Sequence, residues 1–184
     1  LTFTLGSVIV TAGTNKLTHA GNEIEKIIGG QGNDRFVFSA NGVVFAGGLG
    51  TLDGHGGMDT LDYSAYTDPV TVNLGTNSAT GTGGVENIEN IFGGSGADSL
   101  TGDGLDNVLR GNAGDDALDG ALGVDTLDGS NTSSNLSIDL RLITPQITGR
   151  GSDTILNIEN LTTGSGNDIL TASNADNTLN AGLG

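Results

Sequence analysis

The sequence predicts an all-β fold in which short strands and glycine-rich turns repeat along the chain. Four consecutive nonapeptides occupy residues 93–128, with the sequences GGSGADSLT, GDGLDNVLR, GNAGDDALD and GALGVDTLD. Glycine accounts for 33 of the 184 residues, which disfavours a core of bulky side chains and favours repeated turns. A second period of 64 to 70 residues overlies the first (Ile24, Ile88 and Ile158). Repetition at fixed periods is typical of solenoids.

The composition excludes several classes of protein. There are 22 acidic residues against six basic ones, a formal net charge of −16, whereas nucleic-acid binding needs clustered Lys and Arg. No cysteine is present, so disulfides are impossible, and no apolar stretch approaches the ~20 residues of a membrane-spanning helix. The opening LTFTLGSVIV does not resemble a secretory signal peptide. Because the chain ends at AGLG, four residues into a unit, we expect it to be a segment of a longer array.

Three positions define the repeating unit: glycine first, an acidic or amide residue sixth and an aliphatic residue eighth. The eighth position of the central block holds Leu100, Leu109, Leu118 and Leu127. The same frame recurs as GGQGNDRFV (29–37), GHGGMDTLD (54–62), TGSGNDILT (163–171) and ASNADNTLN (172–180). The sixth-position residues are Asp34, Asp59, Asp98, Asn107, Asp116, Asp125, Asp168 and Asn177.

The longer period consists of an Ile-Glu stretch preceding three of these blocks. The segments EIEKIIGGQGND, NIENIFGGSGAD and NIENLTTGSGND share one pattern. Extending the nonapeptide frame backwards places Glu25, Glu89 and Glu159 in the sixth position, so we interpret these stretches as degenerate units. Alternating strands are predicted before each copy, beginning at Leu1, Val70 and Leu136.

Two segments, 63–83 and 129–153, fall outside the frame and contain both prolines. We expect them to be paired strands or loops that leave the regular coil. They divide one array (1–184) into a first roll segment (1–62), a central roll (84–128) and a third segment (154–184). Residues 38–53 keep strand character but lose the sixth-position acid, so no good ion site is expected there.

The spacing within one unit suits a hard cation. The last three residues form a short strand whose central side chain points to one face, and the first six form a turn in which glycine tolerates positive φ. A cation such as Ca²⁺ takes roughly 6–8 oxygen ligands from carboxylates, backbone carbonyls and water. One turn supplies too few of these oxygens, but two turns stacked ~4.8 Å apart can share an ion.

The pattern G-G-x-G-x-D-x-U-x resembles the RTX (repeats-in-toxin) nonapeptide repeat. The resemblance implies a right-handed parallel β-roll, a β-solenoid with two nonapeptides per coil, several Ca²⁺ ions in the turns and leucines stacked inside. It implies that Asp98 and Asp116 share one ion, and that Asn107 and Asp125 share another on the opposite side. The remaining metal ligands it implies are Asp34, Asp59, Asp168, Asn177, Glu89, Glu159, Gly93, Gly96, Gly111, Gly114, Gly120 and Gly123.

A flexible linker, a solvated acidic surface and an enzyme are the alternative interpretations of these residues. A flexible glycine-rich linker has no reason to keep leucine in phase over residues 100–127. The ninth-position acids Asp53, Asp62 and Asp128 are expected to be solvated surface. His19 and His55 are isolated, and neither a zinc motif nor a nucleophile elbow is present, so we expect no enzyme.

The expected function is that of a calcium-binding structural module of a secreted or cell-surface bacterial protein. The resemblance implies type I secretion, with folding on Ca²⁺ outside the cell. The parent protein is either a surface layer, adhesin or filament, or an exported protease, lipase or cytolysin with this roll as its C-terminal secretion and folding domain. The threefold long period favours the first class, in which copies of the chain or neighbouring repeats would be partners. A threonine ladder suited to ice or glycan binding is not in phase.

Overall fold

The computed structural model describes residues 26–38 and 50–184, together with the backbone of three earlier strands at 2–5, 10–12 and 15–17. The described residues form 21 short strands and one 3₁₀ turn, Leu74–Thr76. Among the described residues, no helix is long and apolar enough to cross a membrane. The strands are β1 Thr2–Leu5, β2 Val10–Ala12, β3 Asn15–Leu17, β4 Lys26–Ile28, β5 Arg35–Phe38, β6 Thr51–Asp53, β7 Thr60–Asp62, β8 Thr71–Asn73, β9 Ser78–Ala79, β10 Gly84–Glu86, β11 Asn90–Phe92, β12 Ser99–Thr101, β13 Val108–Arg110, β14 Ala117–Asp119, β15 Thr126–Gly129, β16 Ser137–Asp139, β17 Gln146–Ile147, β18 Ser152–Leu156, β19 Asn160–Thr163, β20 Ile169–Thr171 and β21 Thr178–Asn180.

Two walls of parallel strands face each other, as expected of an all-β parallel roll. One wall is a single sheet in the order β1-β5-β7-β11-β13-β15-β19-β21, which we call the long sheet. The other wall consists of three sheets: β4-β6-β10, then β8-β12-β14-β18, then β16-β20. Antiparallel strands β9 and β17 flank the middle sheet, and β2 pairs with β3. The predicted all-β parallel fold is therefore confirmed.

The leucines of the central block stack in the way the sequence predicts. Leu100 pairs in register with Leu118, and Leu109 pairs with Leu127, so units two apart in sequence lie on top of each other. Each of these side chains is at most 6% exposed. The eighth-position side chains thus build a continuous apolar core between the two walls.

The two interruptions depart from the nonapeptide frame while part of each stays within the roll. Residues 63–83 contain the antiparallel pair β8 and β9, and residues 129–153 contain β17, which pairs antiparallel with β18. However, β8 also pairs in parallel with β12, and β16 pairs in parallel with β20. Each interruption therefore begins a new sheet on the second wall while the long sheet continues unbroken beside it.

The interruptions differ in how they are packed. In the first, the buried rings of Phe38 and Tyr63 stack with centroids 4.0 Å apart, and the Tyr63 hydroxyl donates to the Thr80 carbonyl. In the second, Gly129 stands at the position that corresponds to Tyr63. A cavity of about 40 Å³ borders Gly129 and is lined partly by Leu136. Aromatic side chains thus fill the first interruption, whereas the second retains a small void.

The expectation that the ninth-position acids are solvated surface was wrong. Asp53 and Asp62 are only 7% and 3% exposed. Asp53 pairs with Lys26 at 2.8 Å, Asp62 with Arg35, and Asp128 with Arg110. Because stacked strands bring outward side chains of neighbouring coils within reach, a basic residue one coil away neutralises each of these acids.

Truncation of a stacked leucine is expected to weaken the roll without removing an ion ligand. Leu118→Ala should cost about 2–5 kcal/mol of folding free energy and raise the calcium concentration needed for folding. The matched control is Leu122→Ala, because Leu122 is 75% exposed whereas Leu118 is 3% exposed. Calcium titrations followed by circular dichroism would check this, with calorimetry giving an unchanged ion count. Equal midpoints for the two variants would contradict the stacked core.

Candidate metal centre in the turns

The turns lie along two edges of the roll. Turns that lead into the long sheet form what we call the first edge, and turns that lead out of it form the second edge. Six-residue turns occur on both edges, such as 93–98 between β11 and β12 and 102–107 between β12 and β13. Each six-residue turn ends with the sixth position of a unit, directly before a strand. The sixth-position side chains are consequently placed above one another, coil by coil.

On the second edge these side chains form a hydrogen-bonded column. Asp98 Oδ1 accepts the Val70 amide at 2.8 Å, and Asp116 Oδ1 accepts the Asp98 amide at 2.9 Å. Asp153 Oδ1 accepts the Asp116 amide at 2.9 Å. One carboxylate oxygen of each turn thereby fixes the backbone of the turn before it.

The first edge carries the same arrangement. Asp59 Oδ1 accepts the Asp34 amide at 2.7 Å, and Asp125 Oδ1 accepts the Asn107 amide at 2.8 Å. Glu89 occupies the equivalent place, because its Oε2 accepts the Asp59 amide at 2.7 Å. The interpretation of the Ile-Glu stretches as units in phase with the array agrees with this position.

The second carboxylate oxygen points into the acid's own turn. Asp98 Oδ2 accepts the Gly94 amide at 2.7 Å. By contrast, Oδ2 of Asp59, Asp125 and Asp168 is buried and has no hydrogen-bond partner among the described residues. A buried unpartnered carboxylate oxygen is destabilising unless something compensates it. These oxygens are therefore the clearest structural sign of a cation site.

The first-position glycines leave room for these oxygens. A Cβ on Gly93 would lie 2.4 Å from Asp98 Oδ2 and 2.9 Å from the Gly111 carbonyl oxygen of the next coil. A Cβ on Gly120 would lie 2.5 Å from Asp125 Oδ2. A side chain at this position would displace the carboxylate, so glycine is required for carboxylate and carbonyl oxygens to converge there.

The fourth position needs glycine for a different reason. Gly114 and Gly123 have φ of +122° and +132°, a region that L-residues rarely adopt. The backbone of the preceding coil passes 2.0 Å from the place of a Cβ on Gly114. Gly96 is similarly crowded by the backbone around Pro69. Close stacking of successive turns therefore depends on these glycines.

Three of the column carboxylates form no ion pair with a basic side chain, although Arg150 acts on Asp116 and Asp153 at longer range. Among the residues described, no ion pair involves Asp98, Asp116 or Asp125. Burial raises the pKa of Asp116 to about 7 and that of Asp125 to about 6, with repulsion from neighbouring acids adding to the effect. A hydrogen bond from Lys26 instead lowers the pKa of Asp53. Asp53, which pairs with Lys26, therefore has its pKa shifted in the opposite direction from Asp116 and Asp125, which form no ion pair among the described residues.

The donor set fits calcium. Within the described part of the chain no three His, Cys, Asp or Glu side chains cluster as a metal site, because each turn contributes one sixth-position acid. The remaining ligands must therefore be backbone carbonyls, which the glycine turns present beside the carboxylates. Sixth-position acids and turn carbonyls are the groups that would hold Ca²⁺, and the ion would supply the positive charge that the turns lack.

The structure brings together most of the residues that the sequence predicted as ligands. Asp98 lies next to Asp116 on one edge, and Asn107 lies next to Asp125 on the other. Asp168 occupies the second edge, where its Oδ1 accepts the Leu136 amide at 2.8 Å. Glu25, His19 and residues 39–49 lie outside the described residues. His55 is an exposed turn residue with a φ of 74°.

Sequence reasoning missed Asp153, which lies within the second interruption and continues the second-edge column below Asp116. The signal is present in the segment TGRGSDTIL (148–156), which keeps glycine at the second and fourth positions, Asp at the sixth and Ile at the eighth. Thr148 replaces the first glycine, and its hydroxyl donates to Asp153 Oδ2. The unit was missed because its first residue, 148, is in phase neither with the central block, whose frame continues at 129, 138 and 147, nor with the unit at 163–171, whose frame extends back to 154 and 145.

Comparison with known families agrees with this geometry. A family model for the RTX calcium-binding nonapeptide repeat matches the chain in four copies, at residues 19–38, 80–104, 92–127 and 157–184. These matches together cover about half of the chain. No curated protein matched the chain in a second comparison.

Loss of a column carboxylate is expected to lower the number of bound ions. Asp116→Ala should bind at least one Ca²⁺ fewer than the wild type, because Asp116 is buried and has no cationic partner. Asp115→Ala is the matched control, because it removes the same negative charge from the adjacent position and Asp115 is exposed. Calorimetric titration measures both stoichiometries. Identical ion counts in the two variants would show that the sixth position does not bind the metal.

The ion-free roll is expected to become more stable as the pH falls from about 7 to about 5. Asp116 and Asp125 have folded pKa values of about 7 and about 6, above the unfolded value of ~3.9, so the folded state binds more protons in this window. The stability is greatest at low pH and is lost as the pH rises through the folded pKa. The β-sheet circular dichroism signal of the calcium-free chain, measured from pH 7 to pH 5, checks this, and a signal that grows as the pH rises would contradict it. Asp116→Asn should flatten the dependence.

Proposed function

This chain belongs to the RTX calcium-binding nonapeptide repeat family, and on that premise we propose that it serves as building material of a bacterial surface layer, adhesin or filament. Its nonapeptide repeats bind Ca²⁺ at several sites, and modules of this kind occur in secreted bacterial proteins. The proposal concerns the use of the module, which we assign to an extended structure outside the cell rather than to an appendage of an enzyme or toxin.

The continuity of the long sheet is the observation that carries this proposal. Strands from β5 to β21 pair in one parallel ladder across both interruptions. Only the second wall is divided, with a new sheet beginning at each interruption. Further copies of the 64 to 70 residue period can therefore be added without ending the ladder. A rod that grows by repetition suits a load-bearing or spacing role better than a single compact folding domain.

Calcium-dependent folding fits export in an unfolded state, which we propose occurs through type I secretion. At low calcium, the net charge of −16 and the glycine content keep the chain extended. Outside the cell, calcium at ~10⁻³ M is in the range that extracellular sites bind, and the binding energy becomes folding energy.

We also propose that the segment is not an enzyme. Its buried acids are distributed along both edges, and each one braces the backbone of an adjacent coil. Such a distribution suits repeated metal sites, whereas a catalytic site requires a few groups of different chemistry converging on one substrate.

Calcium is expected to drive both folding and surface retention. With calcium removed at pH 7.5 the chain should give a coil-like far-ultraviolet circular dichroism spectrum, and millimolar Ca²⁺ should convert it to β-sheet. An antibody against the chain should label intact source cells, and a calcium chelator should release the labelled material. Mg²⁺ at equal concentration is the control. A β-rich spectrum without calcium would overturn calcium-driven folding. Antigen confined to a soluble secreted hydrolase or cytolysin would overturn the surface role.

A further inference from the structure

Two of the Ile-Glu stretches, at 87–89 and 157–159, form the shortest turns of the first edge among the described residues, and the nonapeptide pattern does not explain their length. Residues 87–89 connect β10 to β11, and residues 157–159 connect β18 to β19, with three residues each instead of six. Ile88 and Ile158 are buried at 4% and 5% exposure and replace the glycine loop with a core contact. Both short turns lie on the first edge, below a six-residue turn of the preceding coil.

The first short turn points a carbonyl at an unsatisfied carboxylate. Asn87 has a left-handed φ of 51°, and its side-chain amide donates to Asp53 Oδ1 at 2.7 Å. Its carbonyl oxygen lies 2.0 Å from the place of a Cβ on Gly54, and Asp59 Oδ2 lies 2.3 Å from the same point. Two oxygens thus converge beside Gly54, and a side chain at residue 54 would collide with both of them.

Glu89 adds a second carboxylate to this place. Its Oε2 accepts the Asp59 amide at 2.7 Å, so the longer Glu side chain reaches the column from a shorter turn. Asp59 itself is 1% exposed, and its Oδ2 has no hydrogen-bond partner among the described residues. Glu89 and Asn87 therefore bring a second carboxylate and a backbone carbonyl next to the buried Asp59 carboxylate.

The second short turn repeats each of these features. Asp125 is 0% exposed with an unpartnered Oδ2, again counted over the residues the structure describes. Asn157 has the same φ of 51°, and its carbonyl oxygen lies 2.1 Å from the place of a Cβ on Gly120. Glu159 Oε2 accepts the Asp125 amide at 2.8 Å. Recurrence of the whole arrangement one long period later argues against a local accident of packing.

We propose that each Asn-Ile-Glu turn forms, with the Asp of the preceding coil, a divalent cation site of its own. One site comprises the Asp59 carboxylate, the Asn87 carbonyl and the Glu89 carboxylate. The other comprises Asp125, Asn157 and Glu159. This inference rests on the calcium-binding function proposed above and deepens it, because it assigns a ligand role to turns that lack the glycine loop. The two carboxylates and one carbonyl suit an oxygen-seeking ion such as Ca²⁺.

The opposite side of each Glu turn is closed without an ion. Asn107 Nδ2 donates to the Glu89 carbonyl at 3.1 Å, and Asn177 Nδ2 donates to the Glu159 carbonyl at 2.8 Å. The side-chain N–H of each asparagine thus takes the place beside the Glu carbonyl that a cation would otherwise occupy. This accounts for the two places where Asn replaces Asp in the described part of the first-edge column, each directly after a Glu. The proposed ion therefore lies between each Glu and the Asp of the preceding coil, and not between the Glu and the Asn of the following coil.

Glu159→Gln tests the proposal. The glutamine oxygen can still accept the Asp125 amide, so the turn keeps its hydrogen bond and loses only its charge. Calorimetric titration with Ca²⁺ should find one ion fewer per chain than in the wild type. Asp106→Asn, which changes an exposed acid of the same edge, should bind as many ions as the wild type. Glu89→Gln at the twin site is measured in parallel, so that failure of one variant to fold leaves the other decisive.

A second measurement separates metal binding from a merely structural role. If Glu159 only holds the Asp125 amide, the glutamine variant should need the same calcium concentration as the wild type for folding. If Glu159 is a ligand, loss of its charge should raise the calcium concentration at the midpoint of folding. Full ion counts in both glutamine variants, with an ion still lost in Asp116→Ala, would overturn this inference and leave the calcium function intact. A wild type that binds no Ca²⁺ would instead refute the proposed function.

Discussion

The roll depends on placing a negative charge inside almost every turn. Each column carboxylate uses one oxygen to fix the backbone amide of the neighbouring coil, and burial prevents water from stabilising its charge. The hydrogen bond to the neighbouring coil stabilises the fold, whereas the buried charge of the carboxylate destabilises it. Calcium resolves this conflict, since it neutralises the charge and leaves the hydrogen bond to the neighbouring coil in place. The glycines follow from the same constraint, because carboxylate and carbonyl oxygens occupy the space where side chains would lie.

The chain distinguishes between acids that need an ion and acids that do not. Asp62 and Asp128 face outward from the strands and pair with arginines of adjacent coils, and Arg110 also lies 4.1 Å above the ring of Phe92. These contacts join successive coils of the long sheet without calcium. Turn acids and strand acids therefore differ: Asp116 and Asp125 form no ion pair among the described residues, whereas the strand acids have partners that do not depend on calcium.

The repeating frame predicted the strands and the core well, because the eighth position alone decides which side chain points inward. Leu100 over Leu118 follows from that periodicity. The partners of the strand acids could not be predicted. Arg35 and Asp62 are distant in sequence and become neighbours only because their strands stack in adjacent coils. Asp153 was missed because its unit, 148–156, is out of phase with the units on either side of it. The short turns were placed in phase correctly, but their geometry depends on the left-handed Asn87 and Asn157, which no frame position signals.

The parallel pairing of the long sheet has a mechanical consequence. Hydrogen bonds between stacked coils run along the axis of the roll and act in series, so every coil carries the tension applied end to end and the coils give way one at a time. A coil of two nonapeptides adds ~4.8 Å to the folded rod, whereas its roughly 18 residues span about 60 Å when pulled straight. A stretched array would lengthen in discrete steps, each releasing the ions held by one coil, and would shorten again as calcium rebinds. Such a rod behaves as an extensible tether whose stiffness is set by the calcium concentration around it.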